Sequence, residues 1–319
     1  MPDLKICYHD HCFDGVASAA TFLRFYQDKV KPVDDLGLEG LAHKAGQLFG
    51  EDVFAGRENA VVDFRFSQDP RLTWWFDHHQ SAFETPADAA AFKADQSGKK
   101  FWDPAAKSCT RFIARVVQEK FGWEPGKLQE LIDWAEIIDG ALFPTPQMAV
   151  QLIEPAMQLM LLIEASKDPQ LCPRLIRELS QRTLSDVLAE PWVTEPLQPL
   201  LERHRGIVKT VTSRIVLEKG VATYDLADLG SDNVNKFIAY AANNEQTLYT
   251  VSVTRGPARS KISLGSNPWR QGERRHNLAK IAERHGGGGH PAVAAISFPV
   301  DALDKAREVA RAIVAELQG

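Results

Sequence analysis

Short apolar runs that end at acidic or histidine residues recur through the first half of the chain. Such runs, rich in β-branched or aromatic residues and bounded by polar clusters, are typical of buried strands. The runs and the residues that follow them are 4–8 before His9, 60–62 before Asp63, and 72–76 before Asp77-His78-His79. Each predicted strand therefore ends at side chains that can carry chemistry.

Helical patterns separate these runs, at residues 16–27 and again at 109–120. An alternation of strands and helices predicts the α/β class, here an open and mostly parallel sheet. Ligands bind such sheets outside the carboxyl ends of the strands. We therefore expect the polar clusters at the strand ends to converge on one site.

The second half predicts a helical region and then a smaller α/β unit. Residues 147–186 are mainly helical, Pro191, Pro196 and Pro199 indicate a break, and a linking helix covers 200–212. The remaining predicted elements are an extended pair at 214–227, helices at 234–242, 278–285 and 302–317, and strands at 248–254 and 261–264. The predicted organisation is two lobes, 1–190 and 214–319, joined by a helical linker at 191–213.

Length and composition agree with two domains of a soluble protein. The chain has 319 residues, of which 44% are hydrophobic and 25% charged, values ordinary for globular domains. Cys7, Cys12, Cys109 and Cys172 show no disulfide framework, and the start lacks the pattern of a signal peptide. The apolar stretch 148–165 is interrupted by polar residues, which excludes a membrane span. We expect a cytoplasmic protein with reduced thiols.

Charge is unevenly distributed along the chain. The net charge of −5 argues against a protein that coats nucleic acid by bulk electrostatics. Residues 255–285, however, contain eight basic residues against two acidic ones. This surplus fits an anionic ligand near one site, or a solvated face of the second lobe, and the charge pattern leaves both open.

Histidines and aspartates at the predicted element ends form a candidate metal site. His9, Asp14, Asp63, the Asp77-His78-His79 triplet and Asp139 all fall where strand or helix ends should meet. Carboxylate oxygens mixed with imidazoles suit Mn²⁺ or Mg²⁺ better than structural zinc. A carboxylate shared by two ions about 4 Å apart would build a two-metal hydrolase site for phosphate esters.

The order of these residues resembles the four motifs of the DHH phosphoesterase superfamily, which includes RecJ-like nucleases and enzymes that degrade nanoRNA. The resemblance covers residues 4–145. The second lobe is similar to the DHH-associated C-terminal domain, because residues 286–290, Gly-Gly-Gly-Gly-His, match its GGGH loop. Residues 263–266, Ser-Leu-Gly-Ser, precede that loop.

The resemblance implies a role for each motif residue. His9 and Asp63 would hold one ion, and Asp63 would bridge it to a second ion. The ligands of that second ion would be Asp14, Asp63, His78 and Asp139. Asp77 would orient the histidine pair, and His79 would face the scissile phosphate. The implied cofactor is Mn²⁺, with two ions expected, although Mg²⁺ or another divalent ion would also fit.

Cys12 stands where many family members carry an additional aspartate before the Asp14-Gly15 pair. A thiolate is a softer ligand than a carboxylate and favours other metals. Two alternatives stay open: Cys12 completes the first metal site, or it packs beside the site and water takes the ligand position. We interpret the variant as a subgroup feature rather than as a sign of inactivation.

The glycine run and the basic residues around it are candidate substrate-binding residues. Consecutive glycines let a backbone approach a ligand and direct several N–H groups at an anion. The candidates in this region are Arg255, Lys261, Asn267, Arg270, Gly286, Gly287, Gly288, Gly289 and His290. Trp269 would stack on a base or, more simply, pack within the domain. Ser108 and Arg111 would support the phosphate from the catalytic side or only begin a helix.

These features together predict a Mn²⁺-dependent phosphodiesterase or phosphatase with exonuclease-like activity. Candidate substrates are nanoRNA, linear dinucleotides and 3′-phosphoadenosine 5′-phosphate, bound as short single strands or small nucleotides by a monomer or homodimer. The alternatives are a cyclic-dinucleotide phosphodiesterase and a nucleotide-binding sensor with an impaired metal site. An inorganic pyrophosphatase is disfavoured, because that branch of the superfamily carries a different C-terminal domain.

Overall fold

The computed structural model describes residues 1–42, 49–231 and 234–319. The chain divides into two compact units. The first contains Met1–Phe143 and Ile153–Leu200, and the second contains Pro144–Leu152 and Leu201–Gly319. The predicted α/β class is confirmed, since each unit contains a sheet covered by helices.

The first unit is built on a five-stranded sheet in which every neighbouring pair is parallel. Its strands are β1 Leu4–His9, β2 Leu36–Leu41, β3 Glu58–Val62, β4 Leu72–Asp77 and β5 Lys100–Trp102. The spatial order is β2-β1-β3-β4-β5. The central strands β1, β3 and β4 are almost continuously buried, as parallel strands covered on both faces must be. The predicted parallel sheet is therefore confirmed, although the sequence pattern missed β2 and β5.

Helices cover this sheet, and one of them is itself buried. The helices of the first unit are α1 Phe13–Lys29, α2 Pro86–Ala94, α3 Cys109–Phe121, α4 Gln129–Asp139, α6 Pro155–Ala165, α7 Leu171–Leu179 and α8 Leu184–Leu188. Helix α1 contacts β1 and also α3, α4, α6 and α7, so most of its surface is buried. The first turn of α1 follows directly on β1. This connection holds the start of α1 at the carboxyl edge of the sheet.

The helix α9, Pro191–Arg214, begins where we predicted a break. Pro196 and Pro199 lie inside it, so the expected interruption is wrong. An interior proline costs about 3 kcal/mol through its missing N–H and its steric clash. Val193, Leu197 and Leu201 are buried at four-residue spacing along the same segment. Their burial favours the helix and offsets the cost of the prolines.

The second unit contains a six-stranded mixed sheet in the order β10-β11-β9-β8-β7-β6. Its strands are β6 Val216–Glu218, β7 Val221–Asp225, β8 Tyr249–Arg255, β9 Ser260–Ser266, β10 Gly288–His290 and β11 Val293–Phe298. Its helices are α5 Met148–Gln151, α10 Ile238–Asn243, α11 Leu278–Glu283 and α12 Leu303–Leu317. Helices α11 and α12 pack on one face of the sheet, and α10 packs on residues of β7 within a separate apolar cluster.

Two predicted elements of the second unit differ from the structure. The helix expected at 234–242 begins only at Ile238, and residues 232–233 lie outside the described residues. The glycine run was expected to be a loop, but its second half forms β10, paired antiparallel with β11. A glycine pattern does not reveal this strand, because its pairing partner provides the hydrogen bonds that stabilise it. Among the described residues, no helix is both long and apolar enough to cross a membrane.

Candidate metal centre

The carboxyl ends of three adjacent strands bring the motif residues together at one edge of the first sheet. His9 is the last residue of β1, Asp63 follows β3, and Asp77 ends β4 with His78 directly after it. Strands β1, β3 and β4 are neighbours, and parallel strands end at the same edge. Asp14 reaches this edge from the first turn of α1, and Asp139 from the last residue of α4.

Asp63 lies at the centre of the cluster. Its side chain is 1% exposed, with Oδ2 3.4 Å from His9 Nδ1 and Oδ1 3.4 Å from His78 Nε2. Its backbone has φ +57°, a left-handed conformation that is unfavourable for a residue with a Cβ. The hydrogen bond from its N–H to the Phe76 carbonyl, 2.9 Å long, helps to hold this geometry. Strain of this kind is common at functional sites.

His78 directs one ring nitrogen at three carboxylates. Its Nδ1 lies 3.1 Å from the Ala106 carbonyl oxygen, an acceptor only, so Nδ1 carries the proton and donates it there. Its Nε2 lies near one oxygen of each carboxylate. The distances are 3.8 Å to Asp14 Oδ2, 3.4 Å to Asp63 Oδ1 and 3.5 Å to Asp139 Oδ2. This arrangement leaves Nε2 as the ring nitrogen that faces the carboxylates.

Asp77 holds the backbone and the second imidazole of the triplet. Its Oδ1 accepts hydrogen bonds from the N–H groups of His78 and His79, at 2.8 and 3.2 Å. The same oxygen lies 2.7 Å from His79 Nδ1, which therefore carries a proton. The His79 side chain is one third exposed, so a ligand can reach its ring. The orienting role that the family resemblance implies for Asp77 has a direct geometric counterpart here.

Asp14 caps a helix as well as facing the cluster, a role that its sequence position does not reveal. Its oxygens accept hydrogen bonds from Cys109 N at 2.6 Å, Thr110 N at 3.1 Å and Thr110 Oγ1 at 2.6 Å. These donors belong to the first turn of α3, whose N–H groups have no partner inside the helix. A carboxylate at this position is also favoured by the helix dipole. Asp14 therefore connects the cluster to α3.

The pKa values of the cluster reflect crowded buried charges. Burial and the neighbouring Asp63 and Asp139 raise the pKa of Asp14 well above its usual range. Burial would also raise the pKa of Asp63, but its contacts with His78 and His9 lower it. Burial would lower the pKa of His78, but its contacts with Asp63 and Asp14 raise it to about 10. The buried carboxylates of the cluster are therefore favourable in their ionised form only with positive charge beside them.

Three overlapping groups of side chains have ligand atoms within 4.8 Å of one another. The groups are His9 with Cys12 and Asp63, Asp63 with His78 and His79, and Asp14 with His78 and Asp139. Asp63 Oδ1 and His78 Nε2 are buried yet form no hydrogen bond within the described chain. Buried polar atoms normally have partners. Most of the side chains that could ligate a metal here are carboxylates and imidazoles, so these residues fit divalent cations.

Cys12 lies inside this cluster rather than apart from it. It precedes α1 at the N-cap position, where its side chain makes no capping hydrogen bond. Burial and the nearby carboxylates Asp63 and Asp14 raise the pKa of its thiol. Its ligation of a metal stays a prediction.

Ser108 and Arg111 lie beside the cluster with their side chains engaged in local contacts. Ser108 is buried at the start of α3 and accepts a hydrogen bond from Arg111 N at 3.1 Å. Arg111 donates to Glu136 at 3.0 Å and also to Asp133, both on α4. These contacts stabilise the packing of α3 on α4. A contact of either residue with phosphate stays a prediction.

The other predicted substrate-binding residues lie in the second unit. Arg255 is exposed at the end of β8, and Lys261 is half-buried in β9. Asn267 is buried, and its amide group donates to Asn244 and Thr247 oxygens and accepts from Trp269 N. Arg270 donates to Glu273 and, at 2.7 Å, to the Glu245 carbonyl. The Asn267 amide is thus committed within the unit.

For three of the four glycines in residues 286–289, the fold itself explains why the residue is glycine. Gly286 has φ +76°. A Cβ on Gly287 would lie 2.3 Å from the Ala295 carbonyl oxygen, and one on Gly289 would lie 2.4 Å from that of Val293. A Cβ on Gly288 would meet nothing within 4 Å, and both Gly288 and His290 are exposed. Gly288 is therefore the glycine whose identity the fold alone does not require.

Trp269 packs within the second unit. Its ring contacts Phe237 and Tyr240 at centroid distances of 5.6 and 6.2 Å. The packing alternative for this residue therefore has direct support.

Comparisons with known proteins show the fold. No protein-family model matches the sequence, and no curated protein matches it. The structure of the pGpG-specific phosphodiesterase PggH from Vibrio cholerae is similar, with a TM-score of 0.65, 18% identity and 98% of both chains covered. The DHH domain of a member of the s1p family of ribosomal proteins matches with a TM-score of 0.57 and 13% identity, over 99% of this chain and 87% of that chain.

These similarities extend over both units, and the motif residues lie together at the strand ends as their order predicts. The chain therefore shares the α/β fold of these two proteins over both of its units.

Proposed function

We propose that the chain is a metal-dependent phosphoesterase that hydrolyses short oligonucleotides or small nucleotides. The observation that carries the proposal is the set of overlapping ligand groups around Asp63 at the carboxyl edge of the first sheet. The shared fold of the pGpG-specific phosphodiesterase supports the same reaction class. Among the candidate substrates it favours linear dinucleotides over long strands.

In this proposal His9 and Asp63 would hold one ion, with Cys12 or a water as the third ligand, and Asp14, Asp63, His78 and Asp139 would hold a second. Mn²⁺ and Mg²⁺ suit these donors best. Bound ions of this kind supply Lewis acidity for the charge that develops on the phosphate oxygens. Asp63 is the residue that both sets share, so it would help to hold both ions.

The protein residues around the ions position the substrate and handle protons. Asp77 accepts a hydrogen bond from His79 Nδ1, which fixes the orientation of the ring. His79 would then face a phosphate oxygen or the leaving group. Asp14 holds the start of α3 against the cluster through three hydrogen bonds. The ligand positions are therefore set by the fold before substrate binds.

The second unit would bind one end of the substrate. Gly288 and His290 are exposed, and Gly288 has no steric need to be glycine. A glycine at such a position allows a ligand to approach the backbone closely. Recognition of an end, rather than of a sequence, predicts a preference for substrates of a few nucleotides.

A panel of substrates in Mn²⁺ tests the proposal, with products resolved by chromatography. The panel contains a linear dinucleotide, nanoRNA of three to five nucleotides, a fifty-mer, a cyclic dinucleotide and 3′-phosphoadenosine 5′-phosphate. We expect fast cleavage of the dinucleotide, slow cleavage of the fifty-mer, and no turnover in excess chelator. Asp34→Asn, a change at an exposed aspartate outside the site, is the matched control for Asp63→Asn. Turnover that survives chelation or Asp63→Asn would contradict the metal-dependent mechanism.

A further inference from the structure

Arg111 connects the first turn of α3 to α4. The first two N–H groups of α3 donate to Asp14. Arg111, in the same turn, donates from Nε to Glu136 at 3.0 Å and from Nη2 to Asp133, and both of these carboxylates belong to α4. Helix α4 ends at Asp139. One turn of α3 therefore contacts Asp14 directly and also the helix that carries Asp139, and these two aspartates belong to one ligand group.

The last turn of α4, residues 136–139, is less deeply buried than the turns before it. The buried residues of this helix all precede residue 136, and residues 136–139 are half-buried or exposed. Residues three apart on a helix are neighbours on its surface, so Asp139 lies beside Glu136. The hydrogen bond from Arg111 to Glu136 therefore helps to fix the turn that carries Asp139.

The partners of Arg111 favour a positioning role over the binding of an anion. Two carboxylates contact its one guanidinium, so the three side chains together carry one net negative charge. The planar fork of a guanidinium fixes the orientation of the carboxylates that it bonds. The side chains of Arg111 and Glu136 are 32% and 31% exposed, and partly exposed ion pairs contribute little to overall stability. The contact is therefore better suited to orient α4 than to stabilise the whole fold.

We propose that Arg111 is a positioning residue that holds Asp139 in place, through α4, for the second metal ion. The inference rests on the proposed function, because Asp139 is one of the ligands proposed there. Asp139 Oδ2 lies 3.5 Å from His78 Nε2, and a shift of the helix end would move this oxygen away from the other ligand atoms. Loss of Arg111 should therefore weaken the second ion and leave the first, held by His9 and Asp63, unchanged.

The test measures Mn²⁺ binding to the metal-free protein by calorimetry for Arg111→Met, Arg111→Lys and Arg182→Met. Arg182 is the matched control, because its side chain is 36% exposed and also contacts two carboxylates, those of Glu178 and Glu190. It lies between α7 and α8, which contribute no residue to the ligand groups found in the described part of the chain.

Arg111→Met should raise the Kd of the second Mn²⁺ ion about 3- to 10-fold. Loss of a residue that bonds a metal ligand directly costs about 10- to 100-fold in metal affinity, and Arg111 acts only through the helix. Arg111→Lys can still bond one carboxylate and should lie between Arg111→Met and the wild type. Arg182→Met should bind both ions as the wild type does, even where the melting temperatures of the two methionine variants are equal.

Combination with Asp139→Ala separates positioning from a general loss of structure. The binding step that Asp139→Ala weakens identifies the second ion. If Arg111 acts through Asp139, Arg111→Met should cause no further loss of Mn²⁺ affinity in the Asp139→Ala protein, because the effects of coupled residues are not additive. Equal losses with and without Asp139, or wild-type Mn²⁺ affinity in Arg111→Met, would overturn the proposal.

Kinetics with the linear dinucleotide distinguish positioning from a direct contact with the substrate. Positioning predicts that excess Mn²⁺ restores the kcat/KM of Arg111→Met. A raised KM that excess Mn²⁺ does not correct, with Mn²⁺ affinity unchanged, would mean that Arg111 contacts phosphate and would overturn the proposal. If the wild type binds two ions but cleaves no phosphate ester, the proposed function fails, and the Mn²⁺ Kd values still decide the role of Arg111. A wild type that binds no Mn²⁺ would contradict both.

Discussion

Replacement of Asp14 by alanine should destabilise the fold as well as abolish activity. All four N–H groups at the start of α3 have partners: those of Cys109 and Thr110 donate to Asp14, and the next two donate to Ser108. Asp14→Ala removes the acceptor for the first two, which are buried. Each buried N–H left without a partner costs about 1–3 kcal/mol, which sums to about 2–6 kcal/mol for the pair.

Relief of charge repulsion reduces this cost. Burial and the nearby Asp63 and Asp139 raise the pKa of Asp14, which means that its ionised form is unfavourable in the metal-free protein. The net loss in the free energy of unfolding should therefore fall in the lower half of the range, at about 2–4 kcal/mol. Asp14→Asn, which keeps one acceptor oxygen, should lose less.

Urea unfolding in excess chelator, followed by tryptophan fluorescence, measures this loss without a contribution from bound metal. Asp139→Ala is the matched control, because Asp139 belongs to the same cluster but its side chain is 32% exposed and contacts His78 only at 3.5 Å. We expect Asp139→Ala to change the free energy of unfolding by less than about 1 kcal/mol. If both variants unfold at the same urea concentration as the wild type, Asp14 does not stabilise α3 and the argument is refuted.

Three further changes test other parts of the structure. The Cβ of Gly287→Ala would lie 2.3 Å from a carbonyl oxygen, so this change should lower the melting temperature. A Cβ at position 288 would meet nothing within 4 Å, so Gly288→Ala should lower kcat/KM but not stability. The opposite pattern would contradict a ligand contact at Gly288. Burial would raise the pKa of Glu58, but hydrogen bonds from Lys31 and Trp74 lower it below its ordinary 4.5. The stabilisation by Glu58 should thus be complete above pH 4.5 and decrease below it. The difference in the free energy of unfolding between the wild type and Glu58→Gln should therefore become smaller on acidification. A difference that does not change with pH would refute this. Cys12→Asp should tighten Mn²⁺ binding at the first metal site, the weaker of the two, because carboxylate is the harder ligand. Cys12→Ser should weaken binding at that site only if the sulfur is a ligand. Superimposable titrations of activity with Mn²⁺ for the three proteins would show that Cys12 only packs.

The strand ends of the first unit were predictable because their signal is local. An apolar run that stops at His9 or Asp63 reports both a buried strand and its polar end, and parallel strands necessarily end at the same edge. The fold class follows from the alternation of these strands with helices. The positive φ of Asp63 and the contact between His78 and the Ala106 carbonyl depend on residues distant in sequence, so no local pattern reveals them.

The second unit shows where local patterns mislead. Three prolines indicated a break, yet the buried apolar residues around Pro196 continue the helix. Asn267 lies in a basic region that predicts a substrate contact, yet its amide donates to the neighbouring residues Asn244 and Thr247; the substrate contact stays a prediction. Strand β10 is stabilised by pairing with β11, which was itself not predicted. In each case tertiary contacts outweigh the intrinsic preference of the residue.

The most direct test of the central claim is the number of Mn²⁺ ions that the chain binds at saturation, measured together with turnover of a linear dinucleotide. We expect two ions for the wild type and for Asp34→Asn. Asp63→Asn should bind fewer ions and lose nearly all turnover, since Asp63 is shared by two of the ligand groups. Asp63→Asn should retain the wild-type circular dichroism spectrum, so that the loss reports on the site. A wild-type protein that binds no Mn²⁺, or an Asp63→Asn variant that binds two ions and turns over at the wild-type rate, would contradict the account.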